Sequence, residues 1–167
     1  MVIPLIWLIT AGHMHAAFWL LLAAGISDAL DGFVAKRFNA RTELGAYLDP
    51  IADKTLLDGI YVALALTGWL PLWLATLVVG RDVLIVLGVV LIQRRDPVFR
   101  AKPLLIGKLN TFAQLALAAC ALAHAGGLID LGTLVAALIV AVSLTTLLSA
   151  AGYAGQGLRA LERERPS

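Results

Sequence analysis

The chain has 167 residues, 60% of them apolar and only 14% charged, with a mean hydropathy of +0.90. Soluble domains carry about 45–50% apolar and about 25% charged residues, so this composition excludes a disordered chain, a basic nucleic-acid-binding arm and a small disulfide scaffold. It also holds more apolar side chain than one small core can hide from water, which leaves a compact polytopic membrane domain. The formal net charge of +2 identifies no partner, and the single Cys120 lies in an apolar run, which argues against a disulfide or a thiolate metal site.

Residues 1–27, 59–80, 109–129 and 131–158 contain no Asp, Glu, Lys or Arg. About 20 helical residues cross a hydrocarbon core of about 30 Å, so these runs fit spanning helices joined by very short turns. In chain order, a first helix over roughly 1–12 ends at Gly12-His13 and is too short to span fully, and a second covers roughly 15–36. A third, over roughly 44–68, stops at the breakers Gly68 to Pro71, and a fourth, over roughly 71–93, stops before Asp96-Pro97. A fifth over roughly 104–125 is closed by Gly126-Gly127, and a sixth covers roughly 128–155. The expected fold is therefore an all-α integral membrane protein of about six transmembrane helices, with one domain over 1–158 and a short solvated tail over 159–167. Neither a basic leader region nor a small-residue cleavage site is read, so no secretory signal is expected.

The basic residues are one-sided. Lys36, Arg37 and Arg41 lie between the second and third helices, Arg94, Arg95, Arg100 and Lys102 between the fourth and fifth, and Arg159, Arg163 and Arg165 after the sixth. The opposite turns hold no Lys or Arg. By the positive-inside rule the basic connections and both termini face the cytoplasm, and a bacterial inner membrane is the expected location. Trp69 and Trp73 suit an interfacial belt at the other face, where His13 and His15 also fall.

Against this background some charges stand inside or at the edge of apolar helices: Asp28, Asp31, Asp49, Asp53, Lys54, Asp58, Arg81 and Asp82. An Asp or Arg at a helix centre costs about 2.5–3.5 kcal/mol on insertion scales, so such residues are retained for a purpose. Lys54 and Asp58, four apart, read as an ion pair on one helix face, and Arg81-Asp82 reads equally well as a structural ion-pair element. Helical spacing puts Asp28, Asp31, Gly32 and Ala35 on one face at the basic end of the second helix. It likewise aligns Gly45, Asp49 and Asp53 at the start of the third. Four carboxylates offer oxygen ligands alone, which suits hard cations such as Mg²⁺ or Mn²⁺. Two such ions would relieve the repulsion and clamp phosphates during an in-line displacement. Gly32 and Gly45 leave room for a diphosphate, and Lys36, Arg37 and Arg41 add positive charge beside it.

The stretch Asp28-Ala-Leu-Asp31-Gly32-Phe-Val-Ala35-Lys36, eight residues, then Gly45-Ala-Tyr-Leu-Asp49-Pro-Ile-Ala-Asp53 resembles the signature of the CDP-alcohol phosphatidyltransferase family. That signature reads D-x2-D-G-x2-A-R-x8-G-x3-D-x3-D, and the chain departs from it only at Lys36, where Arg is usual. Lys keeps the charge and loses bidentate geometry, which Arg37 would share in supplying. The resemblance implies that Asp28, Asp31, Asp49 and Asp53 hold two divalent cations, Mg²⁺ or Mn²⁺, on the diphosphate of a CDP-linked lipid. It implies that Asp53 is also the general base on the acceptor hydroxyl, and that Gly32, Ala35, Lys36, Arg37 and Gly45 line the CDP-diacylglycerol site. A polar, metal-binding cavity at the cytoplasmic side and a homodimer are further implications, as is the absence of any nucleic-acid partner. Family members usually carry an amphipathic segment and an Asn-x-x-Thr-x-x-Arg stretch before the first helix, whereas this sequence opens at Met1-Val-Ile-Pro, just past that point.

Leu48–Lys54, Gly80–Ile85 and Lys102–Gln114 are similar to segments of the CMP-forming cardiolipin synthases, over most of residues 15–120. That likeness implies phosphatidylglycerol as acceptor and makes Arg81, Lys102, Lys108, Asn110 and Thr111 candidates for its phosphate and hydroxyls. Simple attraction of Lys102 and Lys108 to anionic lipid, and stabilisation of the start of the fifth helix by Asn110 and Thr111, are competing readings. Phosphatidylglycerophosphate synthase, with glycerol 3-phosphate as acceptor, shares the aspartate pattern and stays open. A cation transporter using the aspartates as an ion path is disfavoured, because no carboxylate continues the path toward the other face.

Overall fold

A computed structural model describes residues 2–38, 43–94 and 104–163, with side chains described for these except 28, 29, 31–38, 43–53, 93 and 158–163. Six helices follow one another: α1 (Val2–Thr10), α2 (Met14–Phe38), α3 (Glu43–Leu66), α4 (Leu72–Gln93), α5 (Leu105–Ala125) and α6 (Gly132–Arg163). Each lies within a few residues of its expected place except α6, which continues to Arg163 rather than stopping near 155. No proline or positive-φ glycine interrupts residues 132–163, and Ala, Leu, Arg and Glu at 158–163 are all strong helix formers. The segment expected as a solvated tail therefore begins as helix.

The turns without basic residues share one construction. Gly12, Gly68 and Gly127 have φ of 80°, 81° and 69°, a left-handed backbone that a side chain disfavours. In each case the glycine amide bonds three residues back (Ile9, Ala65, His124), and the next amide reaches five residues back (Leu8, Leu64, Ala123). The orphan carbonyls of α1, α3 and α5 are thereby satisfied, and the chain reverses within a few residues.

α5 packs against α6, α2 and α3; α6 also packs on α4, and α3 on α1 and α4. The apolar core fills the half of the bundle nearest the glycine turns. It comprises Leu5 and Ile9 of α1, Met14, Ala17 and Leu21 of α2, and Ile60, Tyr61 and Leu64 of α3. Leu74 and Val78 of α4, Leu117, Ala121 and Leu122 of α5, and Val135 and Val142 of α6 complete it. Close approach is built in at Gly126, where a Cβ would lie 2.9 Å from the His15 backbone nitrogen. The outside is apolar as well: Leu72, Leu84, Leu91, Phe112, Val140 and Leu148 all project outward, the reverse of a water-soluble fold.

Among the described residues three helices are long and apolar enough to cross a membrane: Leu72–Ile92, Leu105–Ala125 and Gly132–Gly157. The apolar part of α2, Met14–Ser27, is shorter, and the nine residues of α1 extend only about 14 Å. Trp69 and Trp73 are exposed at the glycine end, as expected of a belt, and Trp7 and Trp19 join them. Three of these tryptophans stack edge-on or tilted against histidines, in the pairs Trp7–His13, His15–Trp19 and Trp69–His124. Amphipathic rings of this kind favour the boundary between hydrocarbon and water.

Candidate active site

Asp28 and Asp31 belong to α2, and Asp49 and Asp53 to α3, so both pairs fall on helices as the spacing requires. Asp53 is ten residues into α3, about 15 Å from its start. The side chains of these four aspartates, and of Gly32, Ala35, Lys36, Arg37 and Gly45, lie outside the described residues, as do Arg41 and Lys102. Their chemistry still tests the fit to a metal: carboxylate oxygens alone, close in sequence on two consecutive helices, match hard divalent cations. Among the described residues no three His, Cys, Asp or Glu side chains come together.

Directly after Asp53 the described structure opens on a polar layer. The Lys54 ammonium pairs with Oδ1 of Asp82 at 3.1 Å, crossing from α3 to α4. The expected partner, Asp58 on the same helix, is not the one chosen. Asp82 lies on the buried face of α4, where a second cation, Arg81, also donates to the same Oδ1 through Nη1. Arg81 Nη2 donates to the Ser149 hydroxyl of α6, and the Tyr153 ring sits 5.7 Å from the guanidinium carbon. Arg81 is 5% exposed and Asp82 6%, so among the described residues a carboxylate, a hydroxyl and an aromatic face hold the guanidinium inside the protein. Gly107 of α5 makes room for it, since a Cβ there would lie 3.5 Å from Nη2.

One turn further into α5 a second knot ties α5 to α6. Asn110 is fully buried, and its Oδ1 accepts from the hydroxyls of Thr145 and Thr146, both at 2.8 Å. Asn110 is therefore neither a cap nor a surface contact; the cap position of α5 is Leu104 and has no side-chain cap bond. Thr111 is exposed and donates to the Gly107 carbonyl of its own helix, and Lys108 is exposed. Tyr61 donates to the Gln114 carbonyl at 3.1 Å, closing the layer toward the apolar core. Among the described residues, the buried atoms Asp58 Oδ1, Arg81 Nε, Asn110 Nδ2 and Gln114 Nε2 of this layer have no hydrogen-bond partner. Thr145, Thr146, Ser149 and Tyr153 escaped sequence reasoning. Their signal was present as polar groups three or four residues apart in a run without charge, which places them on one helix face.

Between α4 and α6 lies a cavity of about 450 Å³, bounded by Arg81 and Tyr153 at the polar layer and by Ile92 and Gly157 toward the basic end. Apart from Gln156 its other walls are aliphatic, with Gly88, Ala150, Ala151 and Ala154 leaving the space open. The molecule thus combines two carboxylate-bearing helix segments, a buried cation linked to the second of them through Asp82 and Lys54, and a largely apolar cavity alongside.

Comparison with known proteins agrees with this chemistry. Residues 1–148 match the CDP-alcohol phosphatidyltransferase family model. The human cardiolipin synthase (CMP-forming) is 35% identical over 133 residues, which span 70% of this chain and 44% of that protein. A cardiolipin synthase (CMP-forming)/mitochondrial hydrolase fusion protein of Schizosaccharomyces pombe is 33% identical over 166 residues, 90% of this chain and 28% of the other. A probable phosphatidylglycerophosphate synthase of Mycobacterium tuberculosis is 31% identical over 152 residues, 89% of this chain and 70% of the other. The chain spans 28% and 44% of the length of the fusion protein and the human cardiolipin synthase, less than half of each. With the aspartate pattern on α2 and α3 and a family match over nearly the whole bundle, the chain belongs to the CDP-alcohol phosphatidyltransferase family.

Proposed function

We infer that the protein transfers a phosphatidyl group from CDP-diacylglycerol to the hydroxyl of phosphatidylglycerol, giving cardiolipin and CMP. The observation that carries this reading is the fixed spacing of Asp28, Asp31, Asp49 and Asp53 on two consecutive helices within the family match. The identity to cardiolipin synthases supports the lipid acceptor. In this reading the four aspartates hold the divalent ions, Mg²⁺ or Mn²⁺, which supply positive charge against the diphosphate. Asp53 accepts the proton of the acceptor hydroxyl, whose oxygen attacks the phosphorus on the diacylglycerol side. A new P–O bond forms there, the bond to the CMP phosphate breaks, and CMP leaves. Gly32, Ala35 and Gly45 give the cytidine diphosphate backbone access, and Lys36 and Arg37 pair with its phosphates. Arg81, Lys102 and Lys108 attract the acceptor's phosphate. Thr111, exposed on α5, is assigned to the same side of the reaction, whereas the buried Asn110 serves there by tying α5 to α6 and not by touching the acceptor.

The same reading embeds the bundle in a membrane with six crossings or near-crossings, the basic connections and both termini on the cytoplasmic side, and a homodimer as the working unit. Identity over 70% of the length of a phosphatidylglycerophosphate synthase favours glycerol 3-phosphate as a second candidate acceptor. Purified protein assayed with CDP-diacylglycerol, Mg²⁺ or Mn²⁺ and each acceptor in turn separates the two. Cardiolipin formed from phosphatidylglycerol is the expected product; turnover with glycerol 3-phosphate alone would refute the main reading. Asp53→Asn is expected to abolish CMP release while retaining the parent melting temperature, and full activity would refute the base assignment. Chelation by EDTA is expected to stop the reaction and added Mg²⁺ or Mn²⁺ to restore it.

A further inference from the structure

We propose that Lys54 and Asp82 are positioning residues for the reaction: their ion pair fixes the rotation of α3 about its axis and thereby holds the Asp53 segment in place. The proposal rests on the reading in which Asp53 is the general base and a metal ligand. Lys54 directly follows Asp53 on α3, and its ammonium reaches Asp82 Oδ1 on α4 at 3.1 Å. Asp82 is a fixed point and not a loose partner. It is buried near the middle of α4, and the same oxygen accepts from Arg81, whose other terminal nitrogen donates to Ser149 of α6. One chain of contacts therefore ties α3, α4 and α6 together one residue past Asp53.

The energetics of the pair point the same way. Lys54 is 38% exposed, so the attraction is screened and adds little to stability, whereas carrying charges within an apolar bundle is costly. Helical register says what the pair orients. Positions 53, 57, 60 and 64 fall within about 60° of one another on α3, and Leu57, Ile60 and Leu64 are buried. Lys54 stands about 100° round the helix from Asp53 and two turns before Tyr61, which donates to the Gln114 carbonyl of α5. Lys54 and Tyr61 thus tie one edge of α3 at two points, one to α4 and one to α5. With side chains the helix has a radius of about 5 Å, so a rotation of about 10° moves a side-chain tip by about 0.9 Å. A misplacement of about 1 Å costs on the order of 100-fold in rate, so a pair that adds little stability still controls turnover.

Lys54→Met removes the tie and keeps the apolar stem, and Lys54→Arg keeps charge and reach. Both are expected to melt within about 2 °C of the parent. The full chain in detergent is assayed for CMP release with CDP-diacylglycerol and whichever acceptor the parent turns over, phosphatidylglycerol or glycerol 3-phosphate. Lys54→Met is expected to lower kcat about tenfold with KM for both substrates within about twofold, and Lys54→Arg to recover kcat to within about threefold of the parent. A raised KM for CDP-diacylglycerol at unchanged kcat means that the lysine serves the diphosphate directly, and overturns the proposal. So does a lost kcat accompanied by a melting temperature lowered by more than about 5 °C, which marks a structural role.

Binding of Mn²⁺ alone, followed through the electron paramagnetic resonance signal of the free ion, supplies a reading apart from turnover, and one with a sign. By charge alone, removing a lysine beside carboxylates tightens the binding of a cation; loosening a ligand-bearing segment weakens it. Lys54→Met is expected to raise the Mn²⁺ dissociation constant about tenfold and Lys54→Arg to leave it within about twofold. Tighter or unchanged binding in Lys54→Met overturns the proposal. In an Asp82→Asn background, assayed below its own melting temperature, Lys54→Met is expected to change kcat by less than about twofold because the tie is already broken. A second tenfold fall there overturns the pairing, and the Mn²⁺ titration decides without that background. Full activity of Asp53→Asn removes the reading on which the proposal rests; a parent that needs Asp53 and is indifferent to Lys54→Met removes only the tie.

Discussion

Asp82→Asn isolates the charge at the centre of the polar layer, because the amide keeps the carboxylate's shape and removes its charge. In the parent, one oxygen of Asp82 serves both Arg81 and Lys54. The Arg81 and Asp82 side chains are 5% and 8% exposed, whereas Lys54 is 38% exposed. Water screens the lysine's share, so it adds little. The guanidinium has no such relief: without its carboxylate it is a buried cation with Ser149 as its hydrogen-bond partner and the Tyr153 face nearby. Breaking a buried pair from one side costs about 3–5 kcal/mol. At about 2–4 °C per kcal/mol for a chain of this size, the melting temperature should fall by about 6–20 °C.

Cys120 makes this measurable, since it is the chain's one cysteine and is part-buried in α5. A thiol-reactive fluorophore in detergent reports its exposure as the bundle opens. The double variant Arg81→Met with Asp82→Leu removes both charges and should recover most of the loss, because an ion pair replaced whole by apolar residues is close to neutral. A melting temperature for Asp82→Asn within about 2 °C of the parent would refute the buried-pair argument. So would a double variant that loses the sum of the two single losses.

Asn110→Leu should cost about 1–2 kcal/mol, or about 2–8 °C in the same melt, because Thr146 loses its acceptor while Thr145 falls back on the Ala141 carbonyl. Gly126→Val should destabilise by about 1–3 kcal/mol, since its Cβ strikes His15 backbone that cannot rotate away. Gly25→Ala, in open space on α2, should be neutral or gain about 0.5–1 kcal/mol, and a loss there would undercut the packing argument. With Cys120 replaced by Ala, cysteines placed at Gly127 and at Arg94 should react with an impermeant reagent from opposite faces of sealed vesicles; labelling from one face would refute the assigned orientation.

The helices and turns were legible because each glycine-end turn carries its own instruction: a glycine that must be left-handed, next to a run free of charge. The end of α6 was not, because the charged residues after 158 change the composition of the chain while nothing in them breaks a helix. The partner of Lys54 was misread for a different reason. The four-residue rule ranks Asp58 first, yet Asp82 is already fixed beside Arg81 on the buried face of α4 and offers a formed site. Asn110 was legible as a special residue and not as a tie to α6, since its partners lie 35 and 36 positions away and carry no charge.

In a bilayer the helices gain nothing from hiding apolar side chains from lipid, so packing and polar contacts must hold them. The two halves of this bundle divide those means between them. The glycine half is tightly filled with aliphatic side chains on all six helices. The basic half relies on point contacts at Arg81–Ser149 and Asn110–Thr146, and between them and the end of α6 the small residues leave α4 and α6 apart. The space between α4 and α6 therefore lies outside the packed apolar core and leaves the glycine turns untouched.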